Sequence, residues 1–162
     1  MVMVKTVVNG APWVFDIDDY ELLIDVVRDR LGLRGTKRSC EVEVCGACTV
    51  LLDGVAVSAC MTLGAELDGR ELITVEGLAA GEMLHPVQEA FIKHGAVQCG
   101  FCTPGMVMSV CALLADRPDA DEAGVREYLS GNICRCTGYV KILEATAEAL
   151  VDAGRVGSGA SE

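Results

Sequence analysis

The sequence predicts an α+β chain in which a small mixed sheet packed on one helix is followed by a bundle of four helices. Three observations predict it. The first half alternates short β-branched runs with Asn-Gly and Asp-Gly turn signals. The second half changes to helical periodicity beyond Pro86. Eight of the nine cysteines form two sets of four, one in each half: Cys40-x4-Cys45-x2-Cys48-x11-Cys60, then Cys99-x2-Cys102-x31-Cys134-x1-Cys136. The unlike spacings indicate two unlike domains, and 162 residues shared between two leave each half short of a generous core without a metal staple.

Residues 2–8 are β-branched and short, and Asn9-Gly10 turns the chain into a second strand around Trp13-Val14-Phe15-Asp16-Ile17. Asp18-x-x-Glu21 resembles a capping box, and Leu22, Leu23, Val26, Val27 and Arg30 predict one amphipathic helix ending near Gly32. After the first cysteine loop, Thr49–Leu52, the turn Asp53-Gly54, Val55–Val57 and Leu72–Val75 complete the sheet. Gly77 to Glu82 reads as a junction, so the expected domains are 1–78 and 79–153.

Helices are expected near 86–94, 104–115, 121–129 and 139–152. Thr103-Pro104 puts proline at the first helical position, and Asp119-x-x-Glu122 resembles a second capping box. Tyr139, Ile142, Leu143, Thr146, Ala149 and Leu150 make one stripe for core packing. Residues 154–162 are rich in Gly and Ser and are expected to be a disordered tail. Gly95 to Gly105 and Gly131 to Gly138 also echo one another: a helix ends at Gly, a Cys pair follows, and Thr opens the next helix. Two such units facing each other make a four-helix bundle with a pseudo-twofold axis and both Cys loops at one end.

The formal net charge of −11 argues against a nucleic-acid or anionic-membrane surface and for a protein partner. Four thiolates around a two-iron, two-sulfide core add roughly −2 per centre. No charged leader, twin arginine or membrane-length apolar run is present, so a cytoplasmic chain without a membrane span is expected.

The first cysteine set follows the plant-type spacing of a two-iron, two-sulfide centre, with Cys60 as the nearby fourth ligand. Structural zinc is the competing occupant, although its sites usually show paired short-spaced knuckles that neither set reproduces. Gly46 permits a tight loop; Lys37, Arg38 and Arg135 lie beside candidate ligands, where they either favour thiolates or are simply solvated. Cys111 reads as a buried inert thiol, and His85 and His94 flank a helix without a nucleophile at recognisable spacing. No catalytic residue is expected, and no phosphate-binding glycine motif is present. An electron carrier fits these residues, whether as a subunit or as a stand-alone ferredoxin or sensor; a zinc-stapled interaction module is the remaining reading.

Gly35-Thr36-Lys37-Arg38-Ser39-Cys40, Cys45-Gly46-Ala47-Cys48-Thr49, Gln98-Cys99-Gly100-Phe101-Cys102-Thr103-Pro104-Gly105 and Gly131-Asn132-Ile133-Cys134-Arg135-Cys136-Thr137-Gly138-Tyr139 resemble the small iron-sulfur subunit of molybdenum hydroxylases, the xanthine oxidase family, over about residues 2–152. The resemblance implies a ferredoxin-like β-grasp domain followed by a four-helix domain, each with one [2Fe-2S] cluster. It implies that the Cys99, Cys102, Cys134, Cys136 cluster lies beside the pterin of the molybdenum cofactor, with Gln98 and Cys136 within hydrogen-bonding reach of it. The Cys40, Cys45, Cys48, Cys60 cluster would face FAD. The implied partners are a large molybdopterin-binding subunit and a medium FAD-binding subunit, in a dimer of heterotrimers. Ser39 and Glu41-Val42-Glu43-Val44 stand where many relatives carry glycine, which makes a positive φ in that loop costly.

Overall fold

The structure, a computed structural model, describes residues 1–158, the last few as helix backbone only. Five strands, β1 (Val2–Val8), β2 (Ala11–Ile17), β3 (Thr49–Leu52), β4 (Val55–Ser58) and β5 (Glu71–Ile73), form one mixed sheet in the order β2-β1-β5-β3-β4. β1 runs parallel to β5, whereas β1–β2, β3–β4 and β3–β5 are antiparallel. Both hairpins turn on the expected dipeptides. Asn9 and Gly10 have φ of 51° and 78°, and Asp53 and Gly54 have 50° and 81°. Paired left-handed residues give the turn twist that suits a two-residue hairpin.

The expected helix over the first half differs in detail. It comprises α1 (Leu23–Asp25), which continues as a π-helical stretch, Val26–Arg30. No side chain caps it at Leu22. Glu21, expected to serve the capping box, instead takes two bonds from the Arg30 guanidinium at 2.5 and 2.6 Å. Val4, Val8, Ile17, Leu23, Ile24, Val26, Val27, Val50, Leu52, Leu67 and Leu72 form the core beneath the sheet.

Four helices follow: α2 (Pro86–Lys93), α3 (Thr103–Asp116), α4 (Glu122–Tyr128) and α5 (Val140–Ser158). They share a core that includes Val87, Phe91, Met106, Val110, Leu113, Val125, Leu129, Ile142, Ala145 and Ala149. α2 opens on a capping box in which His85 Nδ1 accepts from Val87 N–H at 3.2 Å and Gln88 accepts from His85 N–H at 3.0 Å. α4 is capped by Asp121, whose carboxylate accepts from Gly124 N–H at 2.8 Å, two residues later than the Asp119 box expected. On α5, Ile142, Thr146, Ala149 and Leu150 are buried, as the stripe predicts. Thr146 satisfies its hydroxyl on the Ile142 carbonyl at 2.8 Å. The helix runs on to Ser158, so residues 154–158 are helical where a tail was expected; the rest of that expected tail, 159–162, lies outside the described residues.

The two halves are packed together. Leu51 of β3 meets Met108 and Ala112 of α3, while its neighbours Val50 and Leu52 face the core beneath the sheet. β3 is therefore covered on both sides, which explains its unbroken Thr-Val-Leu-Leu run. α3 is correspondingly apolar around its circumference, with Met106, Val107, Met108, Val110, Ala112 and Leu113 all buried. Among the described residues no helix is long and apolar enough to cross a membrane.

His94 ends α2 against two carboxylates of α5, at 2.7 Å from Glu148 and 3.5 Å from Glu144, and Lys93 bonds Glu148 at 2.8 Å. Lys93 first, then His94, holds the Glu148 carboxyl below its ordinary value of 4.5. A depressed carboxyl pKa contributes stability that is present above the unfolded value and lost as pH falls through the folded one. Glu148→Gln is therefore expected to flatten the acid limb of a stability–pH curve below about pH 4.5, measured by denaturant unfolding at several pH values.

Candidate metal centres

The first cysteine set lies where the segment after α1 returns to the sheet. Cys40 and Cys45 sit in an exposed loop, Cys48 is buried at the start of β3, and Cys60 is buried just after β4. Loop residues Glu41, Glu43 and Gly46 have φ of 59°, 57° and 65°. These left-handed turns bend the chain around Cys40, whose sulfur accepts from Val44 N–H at 3.4 Å. The amides of Val42, Val44 and Cys45 pull the Cys40 thiol down to about 6. Such a ring of N–H donors is the environment that favours a metal-bound thiolate.

Two non-glycine residues thus occupy the conformation that the sequence made costly. Ion pairs brace one of them: Arg38 bonds Glu41 at 2.9 Å and also Asp25 of α1. Among the described residues no ion pair joins Glu43, which lies exposed. Glu43→Gly is expected to raise stability by about 1 kcal/mol, the scale of the left-handed penalty for an L-residue, read as an upward shift in the thermal midpoint.

The second set stands at one end of the helices. Cys99 and Cys102 lie between α2 and α3, and Cys134 and Cys136 between α4 and α5, so the two echoing segments do meet. Cys134 is buried, Cys102 half-buried, and Cys99 and Cys136 exposed. Burial pushes the Cys134 thiol up, but the Thr137 hydroxyl at 3.1 Å and Thr137 N–H at 3.4 Å outweigh it and bring it down to about 7. Tyr139, left-handed at φ 68°, accepts the Cys134 N–H on its hydroxyl at 2.8 Å and donates its own N–H to Thr137 Oγ1 at 3.2 Å. Gln98 is exposed beside Cys99, and Arg135 is exposed between its two cysteines.

Within each set the thiols divide into two pairs. The neighbouring thiol that perturbs Cys40 is Cys45, and the one that perturbs Cys48 most is Cys60. Cys102 is within reach of Cys134, and Cys99 lies 3.6 Å from Cys136. A two-iron core needs that division, with two thiolates for each iron. A mononuclear zinc site needs four donors on one point. Burial raises the Cys48 and Cys102 thiols to about 12, so these two keep their protons until a metal displaces them.

The two sets are close neighbours. A cavity of about 230 Å³ is lined by all four cysteines of the second set together with Cys45, Ala47 and Ser39 from the first loop. Across it, Ile133 N–H donates to the Cys45 carbonyl at 2.9 Å, linking the residue before Cys134 to a residue of the first set. Residues 74–147 match the model of a [2Fe-2S] binding domain, and residues 23–90 that of a 2Fe-2S iron-sulfur cluster binding domain. The chain is 51% identical over 142 residues to the nicotine 6-hydroxylase small subunit of Paenarthrobacter nicotinovorans, covering 88% of this chain and 86% of that one. The chain belongs to the small iron-sulfur subunits of the molybdenum hydroxylases.

This iron-sulfur subunit is also 48% identical over 144 residues to the 6-hydroxypseudooxynicotine dehydrogenase complex subunit beta of the same organism, covering 88% and 90% of the two chains. Its fold matches a chain of quinoline 2-oxidoreductase from Pseudomonas putida 86 with a TM-score of 0.90 at 42% identity, covering 95% and 96%. As an oxidoreductase component, the subunit carries two [2Fe-2S] clusters. Sequence reasoning did not assign a role to Thr137, or to the Tyr139 hydroxyl, which it took for core packing. Their adjacency to the C-x-C pair was the available signal. Cys111 lies on α3 between Cys102 and Cys134 in sequence, and burial raises its thiol to about 12, in keeping with an inert residue.

Proposed function

We propose that the subunit relays electrons from a molybdenum-pterin hydroxylation site in a large subunit to FAD in a medium subunit or to another acceptor. In this reading Cys40, Cys45, Cys48 and Cys60 hold one [2Fe-2S] cluster, and Cys99, Cys102, Cys134 and Cys136 hold the other. Bound clusters supply one-electron redox chemistry. The chain's own residues hold the thiolates in pairs, aim N–H and O–H groups at Cys40 and Cys134, and keep Cys48, Cys60 and Cys134 out of water. The single observation that carries the reading is the division of each set into two thiol pairs, with the two sets in contact through Ile133 and Cys45.

Gln98 and the exposed Cys136 would face the pterin, and the first cluster would face the flavin. Residues 1–78 would be the ferredoxin-like β-grasp unit and residues 79–153 the four-helix bundle unit, in a cytoplasmic dimer of heterotrimers. Purification at native expression level, with iron and sulfide assays and EPR, tests this. Copurifying large and FAD-binding chains and two distinct two-iron signals are expected. A colourless protein holding only zinc after anaerobic preparation, or a persistent monomer, overturns the relay.

A further inference from the structure

One carbonyl of the first cysteine loop is seated between both cysteine loops of the second set. The Gly46 oxygen accepts from the Asn132 side-chain amide at 3.1 Å, across 86 residues of sequence. Asn132 lies two residues before Cys134, is only 6% exposed, and keeps its own N–H on the Leu129 carbonyl at 3.0 Å. On the other side stands Gly105, in the first turn of α3 just after Cys102. A Cβ there would run into the same Gly46 oxygen and crowd the Ala47 backbone at 3.1 Å. Gly46 is in turn flanked by Cys45 and Cys48, ligands of the other cluster.

We propose that Asn132 is a positioning residue that sets the separation between the two clusters by fixing the Gly46 carbonyl. The inference rests on the ligand assignment above. Asn132 is not needed to satisfy that carbonyl. Thr49 donates to it from its hydroxyl at 2.8 Å and its N–H at 3.3 Å, both within the first domain. The buried amide adds a bond between domains, and a buried hydrogen bond of this kind specifies one arrangement more than it stabilises. No buried side-chain polar atom among the described residues lacks a partner. Small residues at 46 and 105 let the backbones approach, and the Asn132 amide gives that approach its register.

The test is EPR of the dithionite-reduced holoprotein, because dipolar splitting between two paramagnetic clusters falls with the cube of their separation. The wild type is expected to show two two-iron signals split by each other. Asn132→Leu and Asn132→Asp, which remove the donor at nearly constant size, are expected to lose the splitting while keeping full iron and sulfide. Gly105→Ala pushes on the same carbonyl from α3 with every donor in place, and is expected to lose it too. It decides the matter if the Asn132 variants fail to fold. Unsplit wild-type signals, or wild-type splitting in these variants, overturns the inference. Absence of two-iron signals from the wild type overturns the ligand assignment instead.

Discussion

Cys48→Ser is expected to remove half of the iron and half of the acid-labile sulfide, and one of the two two-iron EPR signals, while the other signal persists. Cys48 is buried at the start of β3, so on the proposed ligand assignment a harder hydroxyl in its place leaves one iron with a poor ligand that water does not readily replace. The sheet core around Val50, Leu52 and Cys60 then lacks its metal staple, and the loss should also lower the thermal midpoint of the first half. Cys111→Ser is the matched control. It changes a half-buried thiol among the helices, and full iron with both signals is the expected result. Metal analysis and EPR on both variants check this.

Gly46→Ala is expected to be strongly destabilising. The position is left-handed at φ 65°, and a Cβ there would collide with the Asn132 amide and come within 2.6 Å of the Gly131 carbonyl. The backbone penalty for a left-handed L-residue is about 1–2 kcal/mol, and overpacking against fixed backbone adds about 1–3 kcal/mol. The midpoint of unfolding should fall accordingly, and the first cluster should become labile because Cys45 and Cys48 flank the displaced peptide. Gly10→Ala has a comparable positive φ, 78°, but nothing near its Cβ, so it isolates the backbone component.

Much of this was legible in the sequence because the signals were local. Asn9-Gly10 and Asp53-Gly54 adopt the paired left-handed turns that their chemistry favours, and the apolar stripe on α5 is the buried one. The repeat of helix, Cys pair and helix correctly brought Cys99 and Cys102 to Cys134 and Cys136. What was not legible depended on tertiary alternatives open to polar side chains. Glu21 was free to cap a helix or to pair with Arg30, and a fork-shaped guanidinium nine residues on won. Asp121 capped α4 in place of Asp119 because either acid can present an oxygen to a free N–H, and only the helix start decides between them. Asn132 stood in a motif whose cysteines drew the reading, and its bond to Gly46 lies 86 residues away.

β3 belongs to two cores at once, through Val50 and Leu52 on one side and Leu51 on the other. Four residues therefore tie the fate of the sheet to the fate of the helices, so a local opening at either end must disrupt a strand that the other end also uses. The boundary that separates the two cysteine sets along the chain is consequently not a boundary of cooperativity. Such a unit resists being pulled apart into halves, and it can be joined as a whole to other chains without first being made rigid.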